Sequence, residues 1–151
     1  MAILNLNSGK LKHNYKHLEK LFSRNRIEWG VVTKLLCGNK LYLNELLKLG
    51  VKQMHDTRIS NMKTIKSLNP EIQTVYIKPP AKRSIHNVIK YADVSFNTEY
   101  STIKLLSEEA CIQQKFHKII IMIEMGDLRE GIMGDQLAEF YKNVFLLPNI
   151  G

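Results

Sequence analysis

The segment "EWGVVTKLLCGN", residues 28 to 39, places a single lysine at the end of an apolar run. Gly30, Val31 and Val32 predict a buried strand, Lys34 follows it, and a Gly-Asn turn comes soon after. A primary amine held among apolar side chains is partly neutral and nucleophilic, because burial disfavours its charged form. Such an amine can hold an aldehyde cofactor as a Schiff base. The simpler alternative is that the strand ends at the surface, where lysine meets water.

Polar side chains also follow the other predicted strands, at the point where each strand ends. In chain order they are Asp56 with Arg58, Lys78, Asn97, and Glu124 followed by Asp127 and Arg129. The carboxyl ends of the strands form the active-site face of parallel α/β folds. The set therefore indicates a site for a small, charged molecule, although any one of these residues could instead form a structural hydrogen bond at a strand end.

The elements that position these residues alternate along the chain. The hydrophobic pattern predicts strands at 2–7, 29–34, 51–58, 72–80, 93–97 and 117–126. Helices are predicted at 8–24, 41–50, 59–69, 83–92, 98–114 and 135–147. Because strands and helices alternate, the sequence predicts a parallel sheet in an α/β fold.

Local signals refine this arrangement. Ser8 and Thr98 are predicted N-caps of the first and fifth helices, and Gly50 is the predicted stop of the second. The run 119–123 is apolar on both faces, which predicts a central strand covered by helices.

Composition narrows the function classes. The chain has 151 residues, enough for about one domain. Its net charge of +8 and pI near 9.5 could attract nucleic acid. However, the basic residues are spread out and do not alternate with aromatic residues, which favours a solvated basic surface. The sequence has too few cysteines for a disulfide framework and no leader pattern, which predicts a protein of the cytoplasm. It also has no apolar stretch long enough to span a membrane, so no membrane partner is expected.

Four stretches carry a resemblance to a known family. "VVTKLLCGN", "HDTRISN", "VSFNTE" and "IIIMIEMGDLREG" together resemble the N-terminal part of the alanine racemase-like family, and within it the ornithine racemase-type branch. Members of this family are pyridoxal phosphate-dependent enzymes with a (β/α)8 barrel followed by a β-rich C-terminal domain. The resemblance implies an incomplete (β/α)8 TIM-type barrel of about five parallel βα units plus a short N-terminal strand. It also implies pyridoxal 5′-phosphate as the cofactor.

The resemblance also assigns roles to individual residues. Lys34 matches the lysine that binds the cofactor covalently and takes the α-proton on one face of the amino acid. Arg129 matches an arginine near the cofactor's phenolic oxygen and the substrate carboxylate, where a planar, charged guanidinium is suited. Asn97, in a stretch that matches the family, is expected to contact the cofactor. Asp56 and Arg58, in another matching stretch, are expected to contact the substrate. No metal is expected.

Two positions depart from the pattern of alanine racemases. Those enzymes carry a phosphate-contacting tyrosine four residues after the lysine, where this chain has Gly38. They often carry a carbamylated lysine seven residues before the arginine, where this chain has Met122. Both departures favour a relative with another substrate. Cys37 lies close to Lys34, but no histidine is placed to activate it, so we interpret it as a packing residue.

Length sets the last expectation. A (β/α)8 barrel needs about 250 residues. Residues 1–151 are therefore expected to be the N-terminal part of such a barrel, without its remainder or the C-terminal β-domain, and to be inactive alone. The parent would be an amino-acid racemase, an isomerase with a small amino-acid substrate, and a homo-oligomer. The alternatives are a non-catalytic pyridoxal phosphate carrier and, less favoured, a basic nucleic-acid-binding module.

Overall fold

A computed structural model describes residues 5–151 as five parallel strands that alternate with helices. The strands lie in one sheet in chain order: β1 Val31–Val32, β2 Gln53–Asp56, β3 Gln73–Tyr76, β4 Val94–Asn97 and β5 Lys118–Ile121. The helices are α1 Ser8–Arg24, α2 Lys40–Lys48, α3 Ile59–Leu68, α4 Ile85–Tyr91, α5 Tyr100–Ile112 and α6 Leu137–Phe145, with short 3₁₀ turns at Lys34–Leu36 and Lys82–Ser84. The predicted α/β fold is confirmed as a partial α/β barrel.

The register of the strands divides the sheet into two faces. One row of paired residues runs Val32, His55, Val75, Val94 and Lys118, and we call this side the inner face. Its middle is buried, but Val32 at one end remains 50% exposed, and Ile120, two residues beyond Lys118, remains 43% exposed.

The helices cover the opposite, outer face with two apolar clusters. One cluster joins Met54 of β2 to residues of α2 and α3, including Leu43, Leu46 and Ile65. The second joins Tyr76 of β3 to residues of α3, α4 and α5, which are Met62, Ile85, Val88, Ile89, Leu106 and Ala110. Burial of these side chains is the main stabilising contribution to the fold, at about 25 cal/mol per Å² of apolar surface.

The fifth strand does not lie where its composition predicted. The run 119–123 was expected at the centre of the sheet, whereas β5 is the last of the five strands in the observed order. Its far side is partly paired instead by the end of the chain, because Ile119 N donates to Gly151 O at 2.7 Å and His117 forms a parallel bridge with Ile150. Apolar composition therefore identified the strand but not its place in the sheet.

Several local predictions need correction. The strand predicted at 2–7 falls partly outside the described residues, and 5–7 form no strand. The N-cap of α1 is Asn7, whose side chain accepts from Lys10 N, and not Ser8. Thr98 does not cap α5 either, since the N-cap residue is Glu99 and makes no side-chain capping bond. Gly50 is confirmed as the stop of α2, directly after the C-cap, with φ of 85°.

Candidate active site at the carboxyl ends of the strands

The parallel sheet brings the predicted polar residues to one rim. Because all the strands run in the same direction, the residues that follow their carboxyl ends lie at the same edge. They comprise Lys34 after β1, Asp56 and Arg58 at β2, Lys78 after β3, Asn97 in β4, and Glu124 and Arg129 after β5. β1 and β5 are at opposite ends of the sheet order, and no hydrogen bond or ion pair joins Lys34 to Arg129 within residues 5–151.

Lys34 is exposed at the start of the 3₁₀ turn that follows β1. Among the described residues, its amine has no hydrogen bond or ion pair. The turn is tight, because Cys37 N donates to Lys34 O, and both Cys37 and Gly38 have positive φ, at 50° and 72°. Asn39 then caps α2 by accepting from Leu41 N. A short turn between a strand and a capped helix thus presents the amine to solvent, and the prediction that it lies among apolar side chains is wrong for residues 5–151.

Asp56 lies at the centre of a buried polar cluster next to this turn. Its side chain is 0% exposed and accepts bonds from the backbone N–H groups of Thr57 and Arg58, at 2.7 and 3.0 Å. The Asn61 amide donates to both carboxylate oxygens at 3.1 Å, and Thr33 Oγ1 donates at 3.0 Å. Thr33 directly precedes Lys34, so the carboxylate links the end of β1 to the loop after β2.

Gly38 lies in the turn after Lys34, where there is little room for a side chain. A Cβ at this position would lie 2.9 Å from Asn61 Oδ1, and the φ of 72° already disfavours a side chain. A side chain at position 38 would therefore require the Asn61 side chain or the turn to shift.

Arg58 extends from the Asp56 loop towards the Lys34 turn. Its Nη1 lies 3.7 Å from Cys37 Sγ, and both side chains are exposed. The interpretation of Cys37 as a packing residue is therefore wrong: the thiol lies at the surface beside a guanidinium. The sequence does not show on which side of the turn the thiol lies, so its exposure was missed.

Glu124 shapes the loop that carries Arg129. Its carboxylate accepts from the backbone N–H of Leu128 at 3.1 Å and from that of Gly126. These backbone hydrogen bonds, that of Leu128 first, hold the pKa of Glu124 below its usual value. Arg129 is 75% exposed and reaches Glu130 at 3.9 Å, so its guanidinium is open to an anionic ligand.

Asn97 is buried, as Asp56 is, whereas Lys34, Arg58 and Arg129 are exposed. It is 0% exposed on the outer face, on the same side of β4 as Ser95, and its amide nitrogen donates to Ser95 O and Oγ at 2.8 and 3.0 Å. Ser95 Oγ lies 2.8 Å from His117 Nε2. Asn97 Oδ1 is buried and has no hydrogen-bond partner among the described residues. Asn97 thus belongs to a buried polar chain that the sequence did not reveal.

A well-defined cavity lies away from this rim. It has a volume of about 450 Å³ and opens at the amino ends of the strands, where Trp29, Gln53, Gln73 and Lys118 line it. None of the predicted site residues lines it. Within residues 5–151, no group of three His, Cys, Asp or Glu side chains is arranged to hold a metal ion. No helix of the same region is long and apolar enough to cross a membrane.

Comparison with known proteins identifies relatives along nearly the whole chain. An ornithine racemase of Acetoanaerobium sticklandii is 32% identical over 148 residues, which are 97% of this chain and 41% of the relative. A lysine racemase of Thermotoga maritima is 26% identical over 134 residues, which are 89% of this chain and 38% of the relative. This chain therefore spans about two fifths of the length of these curated relatives. No family model matches it.

Solved structures share the fold. An alanine racemase from Bartonella henselae with covalently bound pyridoxal phosphate superposes with a TM-score of 0.76 at 18% identity, covering 96% of this chain and 42% of that one. PipY of Synechococcus elongatus with PLP bound superposes with a TM-score of 0.74 at 12% identity, covering 89% of this chain and 65% of that one. At such identities the likeness shows the fold alone. Together with the sequence relatives, it confirms the resemblance to the alanine racemase-like family.

Proposed function

Because the chain is related to the alanine racemase-like family along nearly its whole length, we propose that it forms the N-terminal part of the barrel in a pyridoxal phosphate-dependent amino-acid racemase. The observation that carries the proposal is Lys34. Its amine is exposed and unpaired among residues 5–151, at the carboxyl end of β1, in the motif that resembles the cofactor lysine. The activity and substrate of the whole protein are part of this proposal.

The residues at the rim fit this cofactor. An aldehyde group needs an accessible amine, and Lys34 provides one. The cofactor phosphate and an amino-acid carboxylate are anions, and Arg58, Lys78 and Arg129 are exposed cations at the same edge of the sheet. Bound there, pyridoxal phosphate would supply an electron sink that makes the α-proton of an amino acid acidic.

Each residue then has a stated task. Lys34 Nζ would hold the cofactor through its aldehyde group and, once the substrate amine has displaced it, would take the α-proton from one face of the amino acid. Arg129 holds the anionic oxygens of the cofactor or substrate through its planar donors. Arg58 binds the substrate carboxylate. Asn97 is the weakest assignment, because its free Oδ1 is available as an acceptor but is buried on the outer face.

The substrate class is an amino acid with a basic side chain. The support is that the ornithine racemase and lysine racemase named above act on such amino acids, together with Gly38 in place of the alanine racemase tyrosine. A second candidate function is that of a pyridoxal phosphate carrier without turnover. It is favoured by the likeness to PipY, of which this chain covers 65%, a larger share than of the alanine racemases.

The test of Lys34 is covalent trapping. The chain is incubated with pyridoxal phosphate, reduced with borohydride and mapped by mass spectrometry. We expect the cofactor on Lys34, and we expect Lys34→Ala to abolish that adduct while Lys16→Ala, a matched change of an exposed lysine of α1, retains it. Cofactor distributed over many lysines, with none enriched at position 34, would refute the assignment.

A second prediction concerns turnover by residues 1–151 alone. One lysine base and one arginine do not supply a base on the opposite face of the amino acid, so we expect no racemisation of ornithine or lysine. Chiral chromatography after incubation with cofactor measures this directly. Turnover that persists after removal of contaminating racemases, and that disappears in Lys34→Ala, would contradict the prediction.

A further inference from the structure

The turn that carries Lys34 is held from both sides by one buried polar cluster. On the side before the lysine, Thr33 is 1% exposed, its N donates to His55 O at 2.8 Å, and its Oγ1 donates to Asp56 Oδ2 at 3.0 Å. On the side after the lysine, Gly38 packs against Asn61. Lys34 is thus fixed at two points of the chain: Thr33, one residue before it, and Gly38, four residues after it.

Asp56 connects these two points. The Asn61 side-chain oxygen faces Gly38. The nitrogen of the same amide donates to both oxygens of Asp56, each at 3.1 Å. The same carboxylate receives the Thr33 hydroxyl. Loss of the Asp56 carboxylate would therefore weaken both contacts with the turn, the one at Thr33 and the one between Asn61 and Gly38. Loss of Thr33 or Asn61 alone would weaken only one of them.

The carboxylate is also fully occupied. Five hydrogen bonds from Thr33, Thr57, Arg58 and Asn61 reach its two oxygens, and no part of the side chain is exposed. Hydrogen bonds to a charged acceptor are stronger than neutral ones, and in a buried site they define geometry. An acceptor with its oxygens already committed is poorly suited to contact a substrate directly.

We propose that Asp56 is a positioning residue that fixes the Lys34 turn through Thr33 and Asn61, and that it does not contact the substrate. The proposal differs from the substrate-binding role that the sequence predicted for Asp56, and for its catalytic meaning it rests on the proposed function of Lys34. The structural part of the proposal, that Asp56 orders residues 33–39, stands independently of any cofactor.

The central experiment compares Asp56→Asn with a matched carboxylate elsewhere. Asp93→Asn is the control, because Asp93 also accepts from Lys66 and Thr74 but lies at the amino ends of the strands. In Asp56→Asn, we expect hydrogen–deuterium exchange at residues 33–39 to accelerate and pyridoxal phosphate trapping on Lys34 to fall about tenfold, the scale of one lost hydrogen bond to a charged group. In Asp93→Asn, we expect both quantities to stay at the wild-type level.

A second pair of variants guards against misfolding of Asp56→Asn. Thr33→Val removes the hydroxyl that Asp56 receives, and Thr33→Ser restores it. We expect the valine variant to show faster exchange at 34–39 and weaker trapping, and the serine variant to recover both.

The outcomes separate the two proposals. Unchanged exchange and trapping in both Asp56→Asn and Thr33→Val would overturn the positioning role, as would an equal loss in Asp93→Asn, which would indicate general destabilisation. If wild-type Lys34 is not labelled at all, the proposed function fails, and exchange at 33–39 still decides whether Asp56 orders the turn.

Discussion

His117 is the buried histidine whose charge state the fold controls. The side chain is 1% exposed, and Ser95 Oγ lies 2.8 Å from its Nε2. Burial lowers the pKa of His117 to about 4, although the backbone carbonyl of Ala92 and the charge of Asp93 act in the opposite direction. His117 also holds the last residues of the chain, since its backbone bonds to Asn149 and Gly151. Protonation would place a charge on a side chain that is buried beside this edge.

Acid should destabilise the protein through His117. Above pH 6.5 the imidazole is neutral in both states, so its contribution is fully present there. As the pH falls from 6.5 towards 4, the unfolded chain binds a proton that the folded chain does not, and the free energy of unfolding should fall by up to about 3 kcal/mol. Urea unfolding at several pH values in this window measures the slope.

The matched variants are His117→Gln and His13→Gln. The first removes the buried imidazole and should reduce the acid slope without abolishing it, because burial also lowers the pKa of His55; it also lowers stability at neutral pH because the bond to Ser95 changes. The second alters an exposed histidine of α1 and should leave the slope unchanged. An acid slope that is the same in His117→Gln as in the wild type would show that other groups cause it.

At the scale of elements, the turn between β1 and α2 depends on glycine at one position. Gly38 and Gly50 both have positive φ, at 72° and 85°, but only Gly38 has an atom within 4 Å of the site of a Cβ. We expect Gly50→Ala to cost about 1 kcal/mol, from backbone strain alone. Gly38→Ala should cost more, because Asn61 must also move, and should weaken trapping on Lys34.

Thermal and urea unfolding of the two alanine variants provide the comparison. Equal losses of stability in Gly38→Ala and Gly50→Ala would mean that the Asn61 side chain moves aside without a measurable loss of stability. The contact with Gly38 would then not restrict the turn. A larger loss in Gly38→Ala, together with reduced trapping, would support an anchored turn.

Sequence reasoning recovered the repeating elements more fully than the details of the site. The alternation of strands and helices follows from local hydrophobic patterns, and these patterns correctly predicted five parallel strands. The cluster of Thr33, Asp56 and Asn61 could not be predicted in this way, because its hydrogen bonds depend on which strands are neighbours. Nothing in the composition of "HDTRISN" distinguishes an aspartate that faces a substrate from one that accepts five internal hydrogen bonds.

The cap of α1 illustrates the same limit at smaller range. Asn7 and Ser8 are both good N-cap residues, and they are adjacent. The choice depends on the backbone conformation at the helix start, where Asn7 is extended with φ of −92° and ψ of 103°. Propensity alone cannot make that distinction.

At the scale of the whole molecule, the sheet leaves apolar surface on its inner face. Val32 and Ile120 lie at opposite ends of this face and are 50% and 43% exposed. β1 is the first strand in the order and, within residues 5–151, pairs only with β2. Strand edges and apolar patches that lack a cover favour association between copies of a chain.

We therefore expect residues 1–151 to self-associate through the inner face. Sedimentation velocity at micromolar concentration should show dimers or larger species, and Val32→Lys and Ile120→Lys should shift them towards monomer because each places a charge on this face. Ile112→Lys is the matched control: Ile112 is 75% exposed, but it lies at the end of α5, so its substitution should leave the distribution unchanged. If the wild-type chain sediments as a single monomer, the exposed inner face does not drive association. If Ile112→Lys dissociates the assembly to the same extent as Ile120→Lys, the contact between copies of the chain involves the helical layer and not the sheet.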